Sequence, residues 1–153
     1  MTSPRATRWL SDAEMAAWRS FVETQGDLLN AIEGDLQSTE LSLGDYQVLV
    51  FLSEADDRRM RMCDLADVLQ LSPSGLTRRL DGLVRRGLVE RVGSEADRRV
   101  MLAVLSEKGL ATLEAAAPIH VESVRARLVD LLDDDELAAL AHIFRKVRAE
   151  LDR

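Results

Sequence analysis

Two short helical patterns joined by a tight turn limit most narrowly what this chain can fold into. The first pattern, DLADVLQL at residues 64–71, places leucine and valine on one side of a helix. Ser72 then suits the N-cap of a second helix, and Pro73 suits its first turn because the missing N–H leaves no bond unmade. Gly87 suits the left-handed position after a helix end. The pattern predicts a helix-turn-helix.

Two runs rich in valine and leucine follow this unit. Leu88–Val92 and Val100–Leu105 are long enough for strands, and the polar segment GSEADRR between them is compatible with a hairpin loop. The earlier charged segment Glu54–Arg61 is interpreted as a loop. A helix-turn-helix followed by a hairpin is a winged helix-turn-helix. We therefore expect a mainly α-helical fold with a small β-hairpin wing and flanking dimerisation helices.

Long helices are predicted on both sides of the winged region. Capping-box spacing marks three helix starts: Ser11 with Glu14, Ser42 with Asp45, and Asp133 with Glu136. A further helix should begin at Ser106, and Pro118 should kink it or reset its start. The outer helices carry apolar stripes that would be unstable alone, so we expect them to pack across a twofold axis. The predicted domains are a dimerisation region, residues 11–40 and 106–151, around a winged DNA-binding domain, residues 42–105.

Charge is distributed unevenly along the chain. The net charge of −7 by itself argues against a nucleic-acid partner. Residues 58–99, however, contain ten arginines and six acidic residues, a net charge of +4, whereas the remainder has ten basic and twenty-one acidic residues, a net charge of −11. A basic centre between acidic arms is typical of a local site for a polyanion, and the arms would confine DNA to the middle of the chain.

The second helix of the helix-turn-helix has two opposite faces. At about 100° per residue, its leucines cluster on one face and its polar residues on the other. We expect Arg78 to reach a base edge in the major groove, and Arg85 and Arg86 to contact phosphate. A solvated charged face without a ligand is the alternative. The candidate DNA contacts in this region are Ser72, Ser74, Thr77, Arg78, Arg79, Arg85 and Arg86.

An acidic residue, Asp81, lies on the same polar face, where it would oppose DNA. Arg78 and Arg85 are three and four residues away along the helix, which is the spacing of neighbours on a helix surface. We therefore expect Asp81 to pair with one of these two arginines.

The tip of the predicted hairpin carries Asp97, Arg98 and Arg99. An arginine on a narrow tip can enter the minor groove, where the negative potential rises as the groove narrows. Asp97 could hold a neighbouring arginine in place. A charged turn that keeps the protein in solution is the alternative. The position of this tip, a dozen residues after the second helix, favours a DNA contact.

The segments LTRRLDGLVRRGLVER at 76–91 and GSEADRRVMLAVLSEKG at 93–109 resemble the MarR family of bacterial transcription regulators. The resemblance covers nearly the whole chain, because the flanking helices fall where that family has its dimerisation domain. It implies that Arg78 is the recognition-helix arginine and that Asp97 and Arg99 form the wing signature. It further implies a homodimer that binds a pseudo-palindromic operator in double-stranded DNA, mostly as a repressor.

The resemblance also implies a small effector, often phenolic or anionic, that lowers DNA affinity from a cleft where the dimerisation helices meet the winged domain. Candidate lining residues are Trp18, Tyr46, Arg61 and His120. Three of them have another interpretation: Trp18 as core or dimer interface, Arg61 as a phosphate contact, His120 as a hydrogen-bonding group across the interface. The alternative function is a DNA-binding regulator or architectural protein without an effector.

Other classes of function find little support in the residues. No nucleophile triad, phosphate-binding glycine loop or paired-carboxylate cleft indicates an enzyme, and no cofactor is expected. Both histidines, His120 and His142, are predicted on separate helices, so we expect no metal site. Cys63 is expected to be a buried apolar filler rather than a redox centre. A single cysteine, no long apolar run and no leader sequence favour the cytoplasm and no membrane contact.

Overall fold

The computed structural model describes residues 7–97 and 99–151. Contacts divide the chain into two compact units, residues 1–31 and residues 32–153. None of the described helices is both long enough and apolar enough to cross a lipid bilayer.

Most of the first unit is helical. Helix α1, Asp12–Leu36, begins in this unit. The predicted capping box is confirmed, because the Ser11 backbone N–H donates to the Glu14 carboxylate at 2.8 Å and the Glu14 N–H donates to the Ser11 hydroxyl at 3.3 Å. The rings of Trp18 and Phe21 lie 6.1 Å apart. Trp18, Val22 and Leu29 have large exposed fractions.

The second unit contains the predicted helix-turn-helix. Helix α2 is Leu43–Glu54, α3 is Met62–Val68 and α4 is Pro73–Arg85. Ser42 and Asp45 form the predicted capping box of α2. At the start of α4 the Ser72 hydroxyl accepts from the Gly75 N–H at 3.1 Å. At its end Gly87 adopts a φ of 72°, as predicted, and its N–H donates to the Val84 carbonyl.

A three-stranded antiparallel sheet forms within the described residues, in the order β1-β3-β2. Strands β2, Val89–Gly93, and β3, Met101–Leu105, form the predicted hairpin. Helix α2 includes Glu54, and strand β1, Arg59–Arg61, pairs with the other edge of β3. The prediction of a loop throughout Glu54–Arg61 is therefore wrong at its first residue and at its last three. A three-residue strand shows no periodicity of its own, and its structure depends on the free edge of β3.

Helix α5, Glu107–Arg127, follows the sheet, with the Ser106 hydroxyl accepting from the Gly109 N–H at 2.9 Å. Of the two effects predicted for Pro118, a kink or a new helix start, the new start is wrong, because α5 continues through this residue. Pro118 is exposed, so water can satisfy the carbonyl one turn before it. Helix α6, Asp134–Leu151, begins with the predicted capping box between Asp133 and Glu136.

A leucine core holds the second unit together. The fully buried leucines come from the end of α1, from α2, from the helix-turn-helix and from the residue before β2: Leu36, Leu49, Leu52, Leu65, Leu76, Leu80, Leu83 and Leu88. Helix α6 differs, since none of its described residues is buried, and Ile143, Val147 and Leu151 are at least half exposed. The apolar stripe predicted for α6 therefore lies at the surface of the single chain.

Gly109 supplies a test of this packing. A Cβ at this position would collide with the Leu88 carbonyl and the Leu105 side chain, whereas a Cβ at Gly82 in α4 would meet nothing within 4 Å. We expect Gly109→Ala to lower the free energy of unfolding by about 2 kcal/mol through overpacking. Gly82→Ala should leave it unchanged or raise it by about 0.5–1 kcal/mol. Urea unfolding at one fixed protein concentration measures both, and equal effects would contradict the close approach of α5 to Leu88.

Candidate nucleic-acid interface

One face of α4 carries polar side chains, and most of them are exposed. Leu76, Leu80 and Leu83 are buried, which confirms the predicted inward face. The side chains on the opposite side are exposed: Ser74, Thr77, Arg78 and Arg85. Burial of the leucines fixes the rotation of the helix, so two arginines seven residues apart point to solvent from the same face.

The first turn of α4 presents hydroxyl groups close to the backbone. The Ser72 hydroxyl caps the helix and lies 3.2 Å from the Ser74 hydroxyl. The Thr77 hydroxyl donates to the Pro73 carbonyl at 2.9 Å, which keeps this side chain against the helix. This end of α4 is therefore narrow and polar, so it permits close approach to a partner.

Two further arginines of this region point back toward α2. Arg79 Nη1 lies 3.3 Å from the Ser42 hydroxyl and 3.5 Å from Asp45 Oδ1. Arg86 Nη1 lies 4.0 Å from Asp45 Oδ2. Both side chains are about one-third exposed. They thus differ from Arg78 and Arg85, because an acidic group of the protein already holds them beside the polar face.

Asp81 pairs across elements rather than within α4. Its Oδ1 accepts from Arg91 Nη2 of β2 at 2.7 Å. The same Nη2 donates to the Thr77 carbonyl at 2.9 Å. The prediction that Asp81 pairs with Arg78 or Arg85 is therefore wrong, because β2 runs beside α4 and supplies a closer cation. Sequence reasoning missed the role of Arg91, although alternation along β2 places it on the same face as the buried Val89.

The hairpin tip holds Asp97 and Arg99 in a closed turn. Asp97 Oδ1 accepts from the Arg99 backbone N–H at 3.0 Å and from Arg99 Nε at 3.3 Å. The backbone bond and then the guanidinium lower the pKa of Asp97. The Arg99 side chain is 92% exposed, so its remaining donors face solvent. Arg98, the third residue predicted at this tip, lies outside the described residues.

The residues predicted to line an effector cleft fall in different places. Tyr46 of α2 and His120 of α5 come together, with ring centroids 4.3 Å apart. Burial raises the pKa of Tyr46 and lowers that of His120. His120 Nδ1 is buried without a hydrogen-bond partner among the described residues. Arg61 is exposed at the N-cap of α3, and Trp18 belongs to the first unit.

Cys63 is exposed in the first turn of α3, and its sulfur lies 3.5 Å from Asp64 Oδ1. The expectation of a buried filler is wrong, because the buried face of this short helix is formed by Leu65 and Ala66 instead. Within the described ranges, no group of three or more histidine, cysteine or acidic side chains is arranged to hold a metal ion.

Comparison with known proteins gives consistent matches. A model of the MarR family matches residues 39–100. The crystal structure of AbsC, a MarR family transcriptional regulator from Streptomyces coelicolor, is 41% identical with a TM-score of 0.92 and covers 95% of this chain and 99% of AbsC. Sco3205, another MarR family transcriptional regulator from Streptomyces coelicolor, was crystallised in complex with DNA. It is 31% identical with a TM-score of 0.93, over 98% of this chain and 94% of that one.

A curated relative is the HTH-type transcriptional repressor YetL of Bacillus subtilis (strain 168). It is 31% identical over 96 residues, which are 63% of this chain. The aligned part spans 58% of the length of YetL.

The closed turn at the wing predicts a low pKa for Asp97. A carbon-13 NMR titration of its carboxyl group should give a value below the ordinary 3.8. In Arg99→Ala the pKa of Asp97 should rise only part of the way to 3.8, because the backbone N–H of residue 99 still donates to the carboxylate. Since the folded-state pKa is lowered, the turn is stabilised above about pH 4, and this contribution is lost as the pH falls through the folded-state pKa. A wild-type pKa at or above 3.8 would contradict the turn.

Proposed function

This chain belongs to the MarR family of transcriptional regulators, and from that membership we propose that it is a homodimeric, sequence-specific DNA-binding repressor. The observation that carries the proposal is the polar face of α4, where Arg78 and Arg85 are exposed opposite buried leucines. Double-stranded DNA is a partner that matches this arrangement, because its major groove admits one helix and offers both base acceptors and phosphates. A regulator of this kind works in the cytoplasm, where the bacterial chromosome lies.

Within this proposal α4 lies in the major groove with its N-terminal turn toward the bases. Arg78 donates to a base edge, and the small side chains Ser72, Ser74 and Thr77 permit the approach. Arg85, two turns further along, contacts phosphate. Arg79 and Arg86 contact phosphate only by exchanging the Asp45 carboxylate for the DNA backbone, since they lie beside Asp45 in the free protein.

The wing supplies a second contact in the adjacent minor groove. Arg99 is the residue we assign to this groove, because its side chain extends into solvent from a turn that Asp97 holds closed. Arg98 is assigned to the same region from its place in the sequence. A narrow minor groove attracts a guanidinium through its raised negative potential, without direct reading of bases.

The partner of the exposed apolar helices is a second copy of this chain. The surface of α6 includes Ile143 and Val147, both at least half exposed. Three acidic residues begin this helix, Asp134, Asp135 and Glu136, whereas Arg145 and Lys146 lie near its end. Antiparallel pairing of two α6 helices about a twofold axis would bring the acidic end of each beside the basic end of the other, in keeping with a closed dimer.

A twofold dimer presents two copies of α4 to the same duplex. Half-sites about 10 bp apart, on one side of the helix, satisfy both copies at once, so the operator is pseudo-palindromic. The chain does not itself identify this operator or the genes that it controls.

We further propose that a small aromatic or anionic effector releases the operator. Tyr46 and His120 are the supporting residues, because they form an aromatic pair with an unsatisfied nitrogen at the contact of α2 with α5. A ligand there would act by favouring one dimer shape over another rather than by touching DNA. Arg61 remains a candidate for the same cleft, whereas the role of Trp18 stays a prediction from the sequence. The alternative is a regulator that binds DNA without an effector.

The roles of Arg78 and Arg85 can be separated by substitution. With a duplex that the wild-type protein selects from a random pool, Arg78→Ala should cost about 1–3 kcal/mol of binding and relax specificity at the contacted base. Arg85→Ala should weaken binding to selected and random duplexes alike and reduce the salt slope by about one. Fluorescence anisotropy titrations at several salt concentrations measure both.

Arg125→Ala is the matched control, since it also removes one exposed arginine. Arg125 lies about 27 Å along α5 from Glu107, the end of this helix that follows the wing hairpin. Its affinity should equal that of the wild type. Equal losses for selected and random DNA in Arg78→Ala would contradict base reading, and a wild-type protein indifferent to salt would contradict the function as a whole.

An effector at the Tyr46–His120 pair should stabilise the protein and weaken its DNA complex. We expect aromatic carboxylates and phenols, tested as a panel, to include a compound that raises the melting temperature, because it binds the folded state alone. His120→Leu should abolish that shift. A shift retained in His120→Leu would place the ligand elsewhere, and no shift with any compound would favour the regulator without an effector.

A further inference from the structure

The side chain of Arg91 lies on the inner face of β2, one of the two strands of the wing hairpin. It pairs with Ala103 in the register of β2 and β3, and Ala103 is buried. Val89, two residues earlier and therefore on the same face, is also buried. A charged side chain on the inner face of a sheet needs a hydrogen-bonding or ionic partner, because burying a guanidinium without one lowers the stability of the fold.

The partner lies on the recognition helix. A single nitrogen, Arg91 Nη2, donates both to Asp81 Oδ1 at 2.7 Å and to the Thr77 carbonyl at 2.9 Å. The Arg91 side chain is 27% exposed and that of Asp81 is 43% exposed. Arg91 Nε is buried with no hydrogen-bond partner among the described residues, and the bonds from this guanidinium to α4 come from Nη2.

Both acceptors belong to the DNA-facing side of α4. Thr77 and Asp81 are four residues apart, and Asp81 stands between Arg78 and Arg85 on the same face. An uncompensated carboxylate there would repel the phosphates that Arg85 is proposed to contact. It would also lower the positive potential that draws the helix into the groove.

We infer that Arg91 is a positioning residue for DNA recognition: it neutralises Asp81 and fixes the wing hairpin to the recognition helix. The helix and the wing then meet the duplex as one unit, with Arg78 and Arg99 at a set separation. This inference rests on the proposed function, and it assigns to Arg91 a role through Asp81 rather than a contact with DNA.

A double-mutant cycle with Asp81→Asn tests the inference. Arg91→Gln should weaken binding to the selected duplex about tenfold, with the salt slope unchanged, because no phosphate contact is lost. In the Asp81→Asn background the same substitution should cost less than about threefold, since no carboxylate remains to be neutralised. Arg91→Lys, which keeps the charge, should recover part of the loss.

Thermal unfolding of each variant separates this role from a simple loss of fold. The double variant leaves no uncompensated charge where β2 meets α4, so it should melt close to the wild type. Arg127→Gln is the matched control, because it breaks an ion pair of similar length, 2.9 Å to Asp35, outside α4, the hairpin and the basic centre. Its DNA affinity should stay within about twofold of the wild type.

Equal losses in both backgrounds, with a salt slope reduced by about one, would show that Arg91 contacts phosphate directly and would overturn the inference alone. An Arg91→Gln variant with wild-type affinity would overturn it as well. Failure of the wild-type protein to bind any duplex from the pool would instead overturn the proposed function, and this inference with it.

Discussion

Burial of three leucines on one side of α4 determines which side chains of this helix are exposed to a partner. Leu76, Leu80 and Leu83 are 0–1% exposed, and burying each side chain contributes about 1.5–3 kcal/mol. Together they fix the rotation of α4 against the core. Because the leucines face the core, Arg78 and Arg85 on the opposite face of the helix point to solvent. The cap at Ser72 and the left-handed Gly87 set the ends of the helix, so its exposed length is also fixed by local chemistry.

The arginines around α4 divide into two groups by their partners. Arg78 and Arg85 are exposed on the polar face, whereas Arg79, Arg86 and Arg91 lie beside carboxylates of the protein. Ion pairs at this level of exposure add little to stability. Their effect is on geometry, because each ion pair sets the position of an arginine side chain in the free protein, before DNA binds. The carboxylates of Asp45 and Asp81 therefore help to set where the arginines around α4 lie.

Features set by neighbouring residues could be predicted from the sequence, and features set by distant ones could not. The capping boxes at Ser11, Ser42 and Asp133 depend on residues three positions apart, and the structure has them all. Strand β1 needs the edge of β3, some forty residues away, and three residues give no periodic signal. The partner of Asp81 was missed for the same reason, since helix spacing points only to neighbours within α4. The Tyr46–His120 pair joins residues far apart in sequence, and only the family resemblance suggested it.

In the proposed complex two copies of α4 enter successive major grooves of one duplex. Hydroxyl-radical footprinting on the selected duplex, with the protein-to-DNA ratio measured by sedimentation, is the sharpest test of this arrangement. We expect two chains per duplex and two protected half-sites about 10 bp apart, related by a pseudo-twofold axis. Ile143→Asp, which places a charge on the exposed stripe of α6, should give single chains that lose this pattern. One chain bound to one protected site, with undiminished affinity, would contradict it.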